Sequence, residues 1–136
     1  MRMTLTDLQQ MFSSHGWPQF LALETTENNV SLTLHIRHET SWLEGHFPHQ
    51  PVLAGVVQTH WAATLGKTFF SVGDAFNRID NLKFQSVVLP GQTLDLTLQY
   101  LPDVGAIKFV YHSADMTFSE GKLVFQPVGI SKINCI

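Results

Sequence analysis

Apolar and polar side chains alternate most strictly over residues 30–37, where Val30, Leu32, Leu34 and Ile36 interleave with Ser31, Thr33, His35 and Arg37. A period of two is the mark of a strand with one buried face. Residues 19–25 read as the strand before it, with Glu27-Asn28-Asn29 as a turn, so the pair predicts a hairpin. Upstream, Leu8, Met11 and Phe12 form a short apolar stripe that predicts a helix over about 6–14. Thr4 or Thr6 can cap it, and Gly16 with Pro18 stops it. From Phe76 onward the pattern predicts strands only, over about 78–87, 93–101, 106–116 and 121–127. Each is bounded by a turn signal: Leu89-Pro90-Gly91, Pro102-Asp103-Val104-Gly105 and Ser119-Glu120-Gly121. The tail over 128–136 carries no clear pattern.

Between the two groups of strands lies a different pattern. Pro48 and Pro51 fix φ and push their predecessors out of the α region, so no helix forms before Leu53. From Ala54 to about Phe70, Val56, Val57, Trp61, Ala62, Ala63, Leu65 and Phe69 cover most of a helix circumference. A helix apolar all round is a buried one. One buried helix among antiparallel strands predicts an α+β fold, with the sheet wrapped round the helix.

The chain of 136 residues predicts a single domain, with a core over about 18–127. Apolar residues make up 44% and charged residues only 14%. So charge-poor a surface implies cover by another copy or a sizeable apolar cavity. A net charge of −3 and scattered Lys and Arg argue against a nucleic-acid partner. No run approaches the length of a membrane span, and the N-terminus lacks an apolar leader. The single cysteine, Cys135, cannot pair within the chain. Together these predict a cytoplasmic protein.

The stretch Gly45-His46-Phe47-Pro48, followed by Pro51-Val52 and Gly55-Val56, resembles the active-site signature of the hot-dog-fold 3-hydroxyacyl-[acyl carrier protein] dehydratases. Ile79-Asp80-Asn81-Leu82-Lys83-Phe84, followed by Val87-Val88 and Pro90-Gly91-Gln92, resembles the family's second signature. The resemblance covers roughly residues 18–125 and implies an antiparallel sheet round one long central helix. It also implies a homodimer, or a higher oligomer of dimers, whose sheets join edge to edge. Gly55-Val56-Val57-Gln58 with Trp61-Ala62 is similar to a divergent branch, the ApeI-type dehydratases of aryl-polyene clusters. Two positions depart from the family: Ala54 stands where a proline normally precedes the glycine, and His60 stands where the helix normally carries a carboxylate.

Dehydration of a 3-hydroxyacyl thioester needs a base for the C2 proton, an acid for the departing hydroxyl and dipoles for the enolate oxygen. His46 is the candidate base, since an imidazole accepts and returns a proton near neutrality; the plain alternative is a loop histidine capping a turn. Gly55, in the first turn of the helix, offers an N–H without an intrahelical partner and no Cβ to block a carbonyl; alternatively it serves packing alone. His60 is either the acid, sharing one proton with His46, or a core histidine satisfied by a backbone carbonyl. Gln58 points to the other side of the helix and more readily satisfies backbone or a dimer contact. Phe47, Val56, Phe84 and Val88 are the candidate substrate-binding residues. Of these, Phe47, Phe84 and Val88, together with Trp61, are equally readable as plain core. His35 lies on the polar face of its strand.

An acyl carrier protein is acidic, so docking would call for a local basic rim, for which Arg78, Lys83 and Lys67 are candidates. No cofactor is implied. Two other functions compete: a hot-dog thioesterase in which Gln58 or His60 holds a hydrolytic water, and a silent subunit that completes a partner's site. His46 and His49 have a metal-like spacing, but Pro48 splits them and no carboxylate or thiolate stands nearby. Incubation with a chelator should therefore leave turnover of a 3-hydroxyacyl thioester unchanged; a metal-dependent rate would restore the pair as ligands.

Overall fold

The computed structural model describes residues 3–38, 52–73 and 75–126. Its elements in chain order are α1 (Leu5–Met11), β1 (Gln19–Thr25), β2 (Asn29–His35), α2 (Gly55–Phe69), β3 (Phe76–Phe84), β4 (Thr93–Leu101), β5 (Ala106–His112) and β6 (Thr117–Phe125). The six strands form one antiparallel sheet in the order β1-β2-β4-β5-β6-β3. The chain reaches β3 only after traversing α2, so β3 lies at the edge farthest from the opening hairpin. This is the α+β architecture expected from the sequence.

Thr4, not Thr6, starts α1. Its hydroxyl accepts from the Asp7 N–H at 3.2 Å, and its own N–H donates to the Asp7 carboxylate at 3.0 Å. That reciprocal pair satisfies two of the donors a helix start leaves open. The helix ends at Met11, short of the expected Ser14, because Phe12 leaves the helical region with φ −121° and ψ 55°.

The inner face of α2 carries Val57, Gln58, Trp61, Ala62, Leu65 and Gly66, all buried. They pack on the alternating residues of the sheet, among them Leu32, Leu34, Leu96, Leu98, Phe109 and Leu123. The expectation of a helix buried all round is corrected here. Val56 is 74% exposed, and His60 and Lys67 are also exposed, with Ala63 between them half-buried. These four positions fall on one stripe. A single sheet contacts one side of a helix, and this stripe is the side turned away.

A second correction concerns the last strand. Ser119-Glu120-Gly121 is not a turn but the middle of β6, and the turn lies at Ser113–Met116, closed by Ser113 N–H on Met116 O at 2.8 Å. The glycine is there for close packing: a Cβ on Gly121 would lie 2.9 Å from Cε2 of Phe109.

The edge strand β3 contains a bulge. Asp80 pairs with Lys122 and Lys83 with Glu120, so Asn81 and Leu82 oppose Gly121 alone. Asn81 takes the left-handed conformation, φ 55°. In a regular strand Ile79 and Phe84, an odd number of residues apart, would face opposite sides. The extra residue lets Ile79 pair with Leu123 and Phe84 with Ser119, both on the inner face. Asn81→Val should therefore lower stability by about 1–2 kcal/mol, the cost of a left-handed conformation for a β-branched side chain without asparagine's local hydrogen bonding. Asn81→Gly should be neutral or stabilising. Urea melts of the two variants check this.

Candidate active site

The approach to α2 is pinned before the helix begins. Leu53 N–H donates to Val88 O at 2.8 Å, and both side chains are buried. Ala54 is the N-cap, and its carbonyl accepts from the N–H groups of Val57 and Gln58 at 3.1 and 3.2 Å. Alanine gives the helix start no side-chain hydrogen bond. Among the described residues, the positive end of the helix dipole at Gly55 thus has no side-chain cap from its N-cap residue. The inward turn of Phe84 brings its ring against this glycine. A Cβ on Gly55 would lie 2.5 Å from Cζ of Phe84, so any larger residue would have to push that ring aside. Phe84 remains 52% exposed, and Val88 is fully buried core.

His60 lies one turn beyond Val56 on the exposed stripe of α2. It is therefore not a core histidine. Its ring rests against the indole of Trp17, with centroids 5.7 Å apart and planes inclined at 34°. Trp17 in turn contacts Phe12 at 4.4 Å and stacks on Trp61 at 6.2 Å. The indole N–H of Trp61 donates to Gly16 O at 2.8 Å and so ties the segment before β1 to the helix. His46, Phe47 and His49 lie outside the described residues. The structure thus gathers Gly55, Val56 and Phe84 about the start of α2, with His60 one turn further along.

The sequence model of the ApeI-like family, described as ApeI dehydratase, matches residues 22–122. That span takes in β2, α2 and both signature stretches. The chain belongs to the ApeI-like dehydratase family. A chain of the dehydratase heterocomplex ApeI:P from Xenorhabdus doucetiae superposes with a TM-score of 0.74 at 31% identity, over 79% of this chain and 96% of that one. The 3-hydroxyacyl-[acyl-carrier-protein] dehydratase FabZ of Streptococcus uberis is 27% identical over 134 residues, 88% of this chain and 89% of that protein. Thioesterase superfamily member 2 of zebra fish shares the fold, with a TM-score of 0.62 over 91% of this chain and 98% of that one, at 10% identity.

Within this ApeI-like helix, Gln58 has a buried structural task. Its Nε2 donates to Leu53 O at 3.0 Å, and its Oε1 accepts from the Ser119 hydroxyl at 2.6 Å. Its backbone carbonyl accepts from the Tyr111 hydroxyl at 2.7 Å. One residue therefore ties the helix start to β5, to β6 and to the strap before the helix. The sequence signal for this was the polar side chain on the inner face, opposite His60. Its partners were hidden because Ser119 read as part of a turn. Burial pushes the Tyr111 phenol well above its ordinary value near 10. It remains a donor in the folded state, and the stability it lends is full below about pH 10 and falls as the pH climbs past that.

The remaining polar candidates lie apart from this end of the helix. Lys67 sits in the last turn of α2, far from Gly55. Arg78 pairs with Asp80 at 2.9 Å on the exposed edge. Lys83 adjoins Phe84 but stands opposite Glu120 in the register. His35 bonds Thr93 Oγ1 through Nδ1 at 3.0 Å on the outer face. A cleft of about 840 Å³ lies between α1, the β1–β2 turn and the C-terminal end of α2, lined by Met3, Met11, Glu27, Phe69 and Phe70 among others. None of the described candidate residues lines it. Among the described residues no group of three or more His, Cys, Asp or Glu is placed to hold a metal ion, and no helix is long and apolar enough to cross a membrane.

Gln58→Leu should cost about 2–5 kcal/mol, because Leu53 O and the Ser119 hydroxyl are both left buried without a partner. Adding Ser119→Ala should recover part of the loss, since the orphaned hydroxyl then disappears. Denaturant melts of the single and double variants measure both effects.

Proposed function

We propose that this chain removes water from a 3-hydroxyacyl thioester carried on acyl carrier protein, giving the trans-2-enoyl thioester. Membership of a dehydratase family over a span that includes Gly55 and His60 is the observation that carries the reading. His46 takes the C2 proton. The Gly55 N–H, at the positive end of α2, stabilises the charge that develops on the thioester oxygen. The C3–O bond breaks as a protonated His60 gives its proton to the departing hydroxyl, which leaves as water. The catalytic pair ends with the proton on His46, and exchange with solvent resets it. Val56, Phe84, Val88 and Phe47 belong to the acyl-binding surface in this reading.

The site is shared between subunits, with His46 from one and His60 from the other. Support comes from the faces left bare: Val56 at 74% exposure, Val87 at 59% and Phe84 at 52%, beside the edge of β3 that no other described strand covers. Removal of such surface from water by a second copy contributes favourably at about 25 cal/mol per Å². The charge-poor composition fits the same cover. A related but different subunit is the second reading, favoured by the solved relative that is a dehydratase heterocomplex. The thioesterase alternative loses one candidate, because both amide atoms of Gln58 are already bonded in the core. The single cysteine fits a reducing, cytoplasmic compartment.

The test is formation of the enoyl thioester from a 3-hydroxyacyl N-acetylcysteamine substrate, with thermal melts in parallel. His46→Ala should abolish turnover with the fold intact. His60→Ala should cost about 10²–10⁴ in rate, the usual worth of one acid or base, and His60→Glu should recover part. Retention of most turnover by His46→Ala would demote that residue to a loop role. Solution scattering of the pure chain should give a dimer; a monomer that gains activity only with a second dehydratase subunit would select the heteromeric assembly.

A further inference from the structure

An acid catalyst must hold one nitrogen within hydrogen-bond reach of the departing oxygen. Histidine does not orient its own ring: χ2 is a broad, roughly two-fold torsion, and turning it swings the ring nitrogens toward or away from a given point. His60 stands on the exposed stripe of α2, where its helical neighbours Val56, Ala63 and Thr64 are all short. Among the described residues, the indole of Trp17 offers it an aromatic face. That indole is itself braced by Phe12 and by the stack on Trp61, while the backbone N–H of Trp17 donates to Ser14 O at 3.1 Å. The Trp61 bond to Gly16 O holds the adjoining peptide.

We propose that Trp17 is a positioning residue, whose fixed indole face holds the plane of the His60 ring and so the line along which its nitrogens approach the substrate oxygen. This rests on the reading of His60 as the acid. The same indole that packs against the core through Phe12 and Trp61 is thus laid against an exposed imidazole.

The experiment is a double-mutant cycle on the full chain, with a 3-hydroxyacyl N-acetylcysteamine thioester as substrate. Trp17→Leu keeps apolar bulk but removes the flat face, and it should lower kcat by about 10-fold to 100-fold, the cost of a misplaced group. KM should stay within about twofold, since ground-state binding is untouched. Trp17→Phe keeps a face and should restore most of the rate. In the His60→Ala background, Trp17→Leu should change kcat by less than about threefold, because the group it positions is gone. Equal losses in both backgrounds, or a wild-type kcat in Trp17→Leu, would overturn the proposal. A wild-type rate in His60→Ala would instead overturn the acid reading on which it rests. Proton NMR adds a readout independent of turnover: the His60 ring C–H signals, assigned against His60→Ala, should be ring-current shifted in the wild type and lose that shift in Trp17→Leu. An unshifted His60 ring in the wild type would sink the proposal even if Trp17→Leu failed to fold.

Discussion

Everything about this site depends on the width of one sheet. Strands lie about 4.8 Å apart, so six of them span about 24 Å between the outer axes. To close round a helix at a packing distance of about 10 Å, a sheet would need about 60 Å of arc. The sheet therefore covers less than half of α2. The inner face becomes core, and the stripe of Val56, His60, Ala63 and Lys67 is left to whatever approaches from the other side. A histidine on the inner face would have been locked into packing, as Gln58 is. On the outer stripe it stands exposed.

Two kinds of signal in the chain behaved differently. Alternation in β2 and β4 is local and repeated, so Val30 to Ile36 and Leu94 to Tyr100 declared their strands and faces directly. The prolines at 48 and 51 likewise placed the start of α2 within a residue or two. The placement of Phe84 over Gly55 had no such signal. It depends on one left-handed residue, Asn81, whose extra position reverses the facing of the residues after it. Asparagine merely permits that conformation; it does not announce it.

Burial of the helix was overread for a related reason. Apolar residues all round a helix imply that every face is covered, but they do not say by which chain. The low charge content raises cover by another copy, and Val56, Val87 and Phe84 are among the apolar side chains this chain leaves exposed. Gln58 was half legible: its direction followed from helical geometry, whereas its partners lie far off along the chain, where no local pattern reports them.

The bond between Ser119 and Gln58 spans 61 residues, which matters during synthesis. At about 5–20 residues per second, the ribosome adds Gln58 roughly 3–12 s before Ser119, the residue that satisfies it. Through that interval the inner face of α2, with Trp61 and Leu65, lacks the complete sheet on which it packs. The nascent chain thus holds its most apolar helix in waiting, a window in which a holdase or a ribosome-bound partner would meet the segment that later frames the site.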